Sequence, residues 1–206
     1  MVKSSALVFI GAAGSGKDTA ADAVREAIPG ARNLKFAAAL KDVCARIYGW
    51  DRERLDIDLE YKEAPAYYAN GQPCVEVAGE VQTRRQLLQH IGTDMFRRLN
   101  DNVWLHAAMA EVYAAPPAPL WVATDTRFNN EVAFIREQFD RTYVVRLVRM
   151  GATEGTAASA HVSERQSAEI EVNTEIHVGD GDVATLQRKA VDVALRFAGL
   201  RFAGSK

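Results

Sequence analysis

The feature that most constrains this chain is the run Gly11-Ala12-Ala13-Gly14-Ser15-Gly16-Lys17 near its start. It follows the apolar residues 6–10, which have the length and character of a strand buried on both faces. After Lys17 the apolar residues recur at helical spacing as far as Ile28, before a Pro-Gly pair. The sequence therefore predicts a strand, a glycine-rich loop and a helix in direct succession.

The spacing G-x-x-x-x-G-K in this setting is typical of a loop that binds phosphate groups. Small residues let successive backbone N–H groups surround a phosphate, and the N-terminus of the helix adds positive potential. Lys17 would supply a cation to the β- and γ-phosphates of a bound nucleotide. A glycine-rich turn with an accidental lysine is the alternative, and the flanking strand and helix disfavour it.

The residue after Lys17 departs from the usual pattern, in which a Ser or Thr ligates Mg²⁺. Here Asp18 takes that position and Thr19 follows it. Two interpretations of Asp18 remain open. Its carboxylate either meets Mg²⁺, directly or through water, or complements the helix dipole in the first turn.

The rest of the chain alternates strand and helix patterns, which predicts an α/β fold with a parallel sheet covered by helices on both faces. Further strands are expected at 33–36, 120–124, 143–148 and 175–178. Leu87, Ile91, Met95 and Leu99 recur at every fourth position and predict the buried side of a helix over 84–99. Residues 50–83 lack sustained periodicity and are predicted to form a surface insertion, and residues 151–160 a loop.

Composition limits the class of protein. A chain of 206 residues favours one domain, 1–206, over two. Its 25 Lys+Arg and 27 Asp+Glu give a net charge of −2, so any basic site is local and general attraction to a polyanion is disfavoured. The 2 cysteines and 4 histidines lack metal-ligand spacing, which predicts no structural metal and a reducing compartment. No apolar stretch is long enough to span a bilayer, so we expect a soluble, cytoplasmic protein.

Charged residues outside the loop provide further candidates. Asp125 and Arg127 follow a predicted strand, at the edge of the sheet where α/β proteins bind ligands. Asp125 would hold magnesium or act as a base, or it is simply a turn residue, and Arg127 would clamp an anionic substrate. Arg84 or Arg85 would face a phosphate, whereas Arg97 and Arg98 fit a solvated surface.

These residues together resemble the phage-type deoxynucleoside monophosphate kinases, a branch of the P-loop nucleotide kinases. The resemblance is carried by Gly16-Lys17-Asp18-Thr19, Phe36-Ala37 with Leu40-Lys41, Arg84-Arg85-Gln86-Leu87-Leu88-Gln89 with Gly92-Thr93-Asp94, Asp125-Thr126-Arg127 with Glu131, and His161-Val162-Ser163-Glu164. It implies a three-layer fold with a five-stranded parallel core. It also implies an acceptor-side insertion at 50–83 and a short lid at 150–160.

The resemblance also implies roles for particular residues. Residues implied to bind ATP are Gly11, Ala13, Gly14, Ser15, Gly16, Lys17, Asp18, Thr19 and Asn173. Residues implied to bind the acceptor nucleotide are Phe36, Lys41, Arg84, Arg85, Gln89, Thr93, Asp94, Trp104, Arg127 and Glu131. Residues with a catalytic role would be Lys17, Asp125, Arg127 and Arg149, with Arg146 as the alternative to Arg149, and Asp18 and Asp125 would ligate Mg²⁺. Asn173 fits a turn equally well, Ser163 fits a helix cap, and His161 either faces the phosphates or is structural.

The implied activity is transfer of the ATP γ-phosphoryl group to a deoxynucleoside monophosphate, with ATP and Mg²⁺ as cofactors and small nucleotides as partners. The first alternative is a phage kinase that phosphorylates 5-hydroxymethyluracil in DNA. DNA is expected as a partner only under this alternative. A P-loop kinase of a small metabolite is the second. No membrane partner is expected, the location would be the host cytoplasm for a phage protein, and the sequence leaves a homodimer open.

Overall fold

A computed structural model of the chain describes residues 2–150 and 169–199. Its main sheet has five strands in the order β2-β5-β1-β6-β7, and every neighbouring pair is parallel. The strands are β1 (Val2–Ile10), β2 (Arg32–Leu34), β5 (Leu120–Ala123), β6 (Phe139–Met150) and β7 (Thr174–Gly179). The prediction of an α/β fold with a five-stranded parallel sheet is confirmed.

Helices cover both faces of this sheet. They include α1 (Lys17–Ala27), α8 (Asn129–Gln138) and α9 (Val183–Ala198). Leu7 and Phe9 of β1 are completely buried in one cluster with apolar residues of α1 and α9. Ala6, Val8 and Ile10 alternate with them and are completely buried as well. A strand with both rows of side chains buried lies at the centre of a sheet that is covered on both sides.

The chain divides into two compact units, one of Met1–Lys35 with Glu111–Lys206 and one of Phe36–Ala110. The second unit contains α2 (Ala37–Tyr48), α3 (Arg54–Ile57), α4 (Leu59–Glu63), α5 (Arg84–Gln89), a π-helix (His90–Phe96) and α6 (Arg97–Leu99). It also contains a hairpin of β3 (Glu76–Val77) and β4 (Glu80–Val81). The division falls within α7 (Val103–Ala114).

The second unit has an apolar core of its own, to which three residues of the otherwise exposed or half-buried segment 50–83 contribute. Trp50, Leu55 and Ala66 are 6%, 0% and 0% exposed and pack with Leu87 and Ile91. The apolar residues of this segment are too widely spaced to show a period. They are buried by neighbours distant in sequence, which a local pattern does not reveal.

The predicted continuous helix over 84–99 is interrupted by the π-helix, and two of its expected core residues are exposed. Leu87 and Ile91 are buried, whereas Met95 and Leu99 are 50% and 85% exposed. A π-helix closes its hydrogen bonds over one more residue than an α-helix. Met95 within the π-helix and Leu99 after it are therefore rotated away from the face that a regular α-helical period assigns to them.

Candidate active site

The loop between β1 and α1 has the backbone shape that its glycines predict. Gly11, Gly14 and Gly16 have φ angles of 147°, 75° and 90°, which side chains rarely adopt. Gly16 is the N-cap of α1, and its carbonyl accepts the Ala20 N–H at 2.9 Å. The first N–H groups of α1 have no partner within the helix, which makes this terminus suited to bind an anion.

Close packing also requires glycine in this loop. A Cβ on Gly11 would lie 2.6 Å from the Leu147 carbonyl oxygen and 2.8 Å from Ser15 Oγ. Ser15 is itself only 5% exposed. Within the part of the chain that the structure describes, its hydroxyl has no hydrogen-bond partner. A buried donor of this kind is suited to a bound phosphate oxygen.

Lys17 is held against the loop that precedes it. Its Nζ donates to the carbonyl oxygens of Gly11 and Ala12, at 2.8 Å each. The ammonium group therefore lies beside the backbone of the loop rather than extended into solvent. This is the placement that the sequence motif requires of a cation for nucleotide phosphates.

Asp18 forms a three-residue network that the sequence did not predict. Lys35 Nζ donates to Asp18 Oδ1 at 2.6 Å and to Thr124 Oγ1 at 2.5 Å. Thr124 Oγ1 in turn donates to the same Asp18 oxygen at 2.8 Å. Burial acts to raise the pKa of Asp18, but the bonds and charge of Lys35, with Thr124 and Lys17, hold the pKa below its usual range. Asp18 is therefore a carboxylate at neutral pH.

The same oxygens fit a magnesium ion in their chemistry and spacing. Mg²⁺ takes oxygen ligands at about 2.0–2.1 Å in octahedral geometry, so neighbouring ligand atoms stand about 3 Å apart. Asp18 Oδ1 and Thr124 Oγ1 are 2.8 Å apart. In the described ranges no group of three or more His, Cys, Asp or Glu side chains could hold a metal. Such a site suits Mg²⁺ that takes its other ligands from phosphates and water.

Residues 125–131 follow β5 at the carboxyl edge of the sheet, as predicted. The buried Glu131 carboxylate accepts the Arg127 N–H at 2.6 Å and the Phe128 N–H at 3.0 Å, and so fixes the start of α8. Glu131, predicted to bind the acceptor, thus has a structural contact in the loop. Arg127 is exposed and Asp125 half-buried beside Thr124.

Of the two arginines considered on β6, Arg149 reaches the phosphate-binding loop. Its Nη1 donates to the Gly14 carbonyl oxygen at 3.1 Å, and its guanidinium pairs with Asp180. Arg146 instead donates to the Ile170 carbonyl oxygen at 2.8 Å and pairs with Glu175 at 3.3 Å. Of the two arginines, Arg149 is therefore the better candidate for a cation that neutralises charge at the loop.

Asn173, implied to contact adenine, is bound to the backbone of β6. Its side-chain oxygen accepts the Val144 N–H at 2.8 Å, and its own N–H donates to the Val144 carbonyl oxygen at 2.9 Å. Two bonds to one residue anchor the chain just before β7. The structure therefore supports the alternative that was left open, a structural turn residue.

In the second unit, Arg84 and Arg85 differ sharply although they are adjacent. The Arg84 guanidinium stacks 3.9 Å from the ring centre of Tyr61 and donates to the carbonyl oxygens of Tyr61, Ala64 and Pro65. Arg85 makes an exposed ion pair with Glu63. Arg84 therefore connects α5 to the segment after α4, and Arg85 is the better candidate for a phosphate.

The other predicted acceptor residues near α2 have distinct environments. Lys41 pairs with Asp56 at 2.6 Å. Burial acts to raise the pKa of the Asp56 carboxyl, but the hydrogen bonds and charges of Lys41 and Arg52 lower it, and the net effect is a lowered pKa. Phe36 is 4% exposed and packs inside the protein. Lys41 thus remains available to an anion that displaces Asp56, whereas the Phe36 ring has little surface to offer.

The π-helix places the remaining predicted acceptor residues. Thr93 and Asp94 lie within it, and Gln89 directly precedes it. The Trp104 indole N–H donates to the Gly92 carbonyl oxygen at 2.9 Å, and the indole lies against Phe96 with ring centres 5.2 Å apart. A π-helical turn frees a carbonyl from the regular pattern, and such turns often occur at functional sites. The structure thus brings Thr93, Asp94 and Trp104 to one short segment.

Some predictions fall outside the described residues. These are His161, Ser163 and most of the predicted lid at 150–160, of which Met150 alone is described. Among the described helices, none combines the length and apolar character needed to cross a membrane.

Comparison with known proteins gives one relative by sequence. The chain is 29% identical over 168 residues to a putative deoxynucleotide monophosphate kinase of Acanthamoeba polyphaga mimivirus, covering 76% of this chain and 80% of the relative. No protein-family model matches the chain. The phosphate-binding loop and this relative together support an ATP-dependent phosphotransferase of the P-loop kinase class.

Two of the solved structures that match the chain have low overall similarity to it. An unliganded sugar kinase from a Janibacter species is 15% identical with a TM-score of 0.41, covering 96% of this chain and 95% of that one. The protein TT1252 from Thermus thermophilus is 14% identical with a TM-score of 0.48, covering 95% and 98%. At these values neither likeness says anything about substrate.

Proposed function

We propose that this chain is a deoxynucleoside monophosphate kinase that transfers the γ-phosphoryl group of ATP to the acceptor's 5′-phosphate, giving ADP and the diphosphate. The observation that carries the proposal is the loop of residues 11–17, with its glycine backbone and Lys17 held beside it. The choice of acceptor is supported by the mimivirus relative, which is named a putative deoxynucleotide monophosphate kinase.

The chemistry asks mainly for positioning and charge neutralisation. The attacking oxygen belongs to a phosphate that is already anionic, so no strong general base is needed. Lys17 and Arg149, both in contact with loop carbonyls, would neutralise charge on the donor phosphates. Lys41 and Arg85 are the proposed ligands of the acceptor phosphate. Mg²⁺, when bound near Asp18 and Thr124, would add positive charge between the donor phosphates.

The test is a substrate panel with γ-labelled ATP. We expect label in a deoxynucleoside diphosphate when the four common monophosphates are offered one at a time. A duplex that contains 5-hydroxymethyluracil is offered in parallel. Label found in the duplex alone would contradict the proposal and favour the DNA kinase, which needs Asp125 as a base for its neutral hydroxyl acceptor.

Two controls make the panel specific. Lys17→Ala should remove the transferred label. Lys189→Ala should keep it, because the Lys189 ammonium donates to the His177 carbonyl oxygen in β7 and is not part of the loop. Label that is transferred to neither a nucleotide nor the duplex, with ATP still consumed on addition of a phosphorylated metabolite, would move the chain to the small-metabolite kinases.

A further inference from the structure

Lys35 stands out because no motif in the sequence includes it, yet it contacts a residue of the phosphate-binding motif. It directly follows β2, and Thr124 directly follows β5, its neighbour in the sheet. Both therefore lie at the carboxyl edge of the sheet, where parallel α/β proteins bind ligands. Their side chains meet at Asp18 Oδ1, at distances of 2.6 Å and 2.8 Å.

The charge at Asp18 creates a difficulty for phosphate binding. The usual residue after the motif lysine is a neutral Ser or Thr, whereas Asp18 adds a full negative charge in the first turn of α1. That charge repels a polyphosphate bound at the same helix end. The Lys17 ammonium donates to the carbonyl oxygens of Gly11 and Ala12, whereas the Lys35 ammonium donates directly to the Asp18 carboxylate.

We propose that Lys35 is the built-in counter-ion of Asp18, a positioning residue that lets the loop bind nucleotide phosphates with little dependence on a divalent cation. The Lys35 ammonium lies within 2.6 Å of both Asp18 Oδ1 and Thr124 Oγ1, which are also the two oxygens suited to Mg²⁺. A metal ion that binds there takes over the neutralising role. The proposal rests on the proposed function in requiring that nucleotide phosphates bind at the loop.

The experiment measures ADP binding by calorimetry, once in excess EDTA and once in excess Mg²⁺. The readout is the dissociation constant in EDTA divided by the dissociation constant in Mg²⁺, determined for each variant. A misfolded fraction lowers the stoichiometry of binding without changing this ratio. The variants are Lys35→Met, Asp18→Asn and the double variant. Lys189→Met is the matched control, since Lys189 bonds β7 at the opposite edge of the sheet from β2.

We expect Lys35→Met to raise the ratio about fivefold, mainly through weaker binding in EDTA, because it leaves the Asp18 carboxylate uncompensated. The double variant restores the local charge balance of the wild type and should return the ratio to within about twofold of it. Lys189→Met should leave the ratio at the wild-type value.

Two outcomes would overturn the counter-ion role. One is a Lys35→Met ratio equal to that of the wild type. The other is a double variant that stays as impaired as Lys35→Met, which would mean that Lys35 contacts the phosphates itself. Failure of the proposed function looks different, because a wild-type protein that binds no ADP in either condition refutes nucleotide binding at the loop and this inference with it.

Discussion

The predicted phosphate-binding loop of the first unit and the cationic residues of the second unit differ in the groups that they would offer to an anion. In the loop, the backbone conformation determines which groups face a ligand. Gly11, Gly14 and Gly16 hold positive φ angles, and a Cβ on Gly11 or Gly16 would collide with Leu147 or Leu186. The groups that would bind a phosphate there are backbone N–H groups, and the glycines of the sequence specify their arrangement.

In the second unit, side chains carry the charge, and each is engaged within that unit. Lys41 pairs with Asp56, Arg85 pairs with Glu63, and Arg84 is bound to three carbonyl oxygens. An acceptor phosphate there would have to displace carboxylates, whereas a donor phosphate at the loop meets groups already in place. The difference between the two regions shows that the partner of a charged side chain, and not its position in the sequence, determines whether it is available to bind an anion.

The largest effect is expected from Lys17→Ala, which removes the one side-chain cation of the loop motif. Turnover at saturating ATP should fall about 10²–10³-fold, in line with the loss of a charged group that stabilises the transition state. Circular dichroism should be unchanged, because the Lys17 ammonium donates to the carbonyl oxygens of Gly11 and Ala12 in the loop and not to the apolar core. Retention of more than about a tenth of wild-type turnover would show that backbone groups suffice.

Gly11→Ala tests whether the loop depends on backbone shape. Its φ of +147° and a Cβ only 2.6 Å from the Leu147 carbonyl oxygen predict a loss of about 2–3 kcal/mol in the free energy of unfolding. Gly79→Ala is the matched control in the second unit, since Gly79 has a φ of +84° but no atom within 4 Å of its Cβ position. There the loss should be about 1 kcal/mol, from strain alone. If urea denaturation gave equal losses of unfolding free energy for the two variants, the neighbours of Gly11 would have to move enough to accommodate the added Cβ.

Arg84→Met and Arg85→Met should separate a structural arginine from a binding one. Arg84→Met is expected to cost about 2 kcal/mol of unfolding free energy, since it removes the stack on Tyr61 and charged hydrogen bonds. Arg85→Met should change stability by less than about 0.5 kcal/mol, because its pair with Glu63 is exposed, but raise the acceptor KM about tenfold.

The measurements for this pair are thermal or urea unfolding and steady-state kinetics with the acceptor varied. The reverse pattern, with acceptor KM raised by Arg84→Met alone, would restore Arg84 as a substrate ligand. It would also remove the contrast between the two neighbouring residues.

The smallest effect is expected from Asn173→Ala, in the first unit. It removes the bond between the Asn173 side chain and the Val144 N–H, and should cost about 1 kcal/mol of unfolding free energy. The KM for ATP should stay within about twofold of the wild-type value. A larger rise in that KM, measured on folded protein, would instead support the adenine contact that the resemblance implied.

Local patterns predicted the core of the first unit well. The buried strand before the loop, the helix that begins at Lys17 and the five parallel strands all appear, with ends shifted by a few residues. A continuous apolar run and a change from strand to helical period are local signals, and burial on both faces reinforces them.

The errors lie where a partner distant in sequence decides the outcome. Met95, within the π-helix, and Leu99, after it, fit a helical period but are exposed, because the π-helix changes the register. The burial of Trp50 and Leu55 was not predicted, because their segment shows no period. Lys35 and Thr124 were missed although each directly follows a strand, a position at the ligand-binding edge that could have identified them.

The sequence by itself determined the phosphate-binding loop, since glycine at positions 11, 14 and 16 and Lys17 define its shape and charge locally. Only the tertiary structure decided which charged side chain serves which purpose. In the structure, Arg84 donates to backbone carbonyl oxygens of its own unit and Arg149 donates to the loop. Lys35 bonds Asp18, which lies 17 positions earlier in the sequence. The physical reason is that backbone conformation is set by each residue and its neighbours. The effect of a charge is instead set by whatever the fold brings within a few ångströms of it.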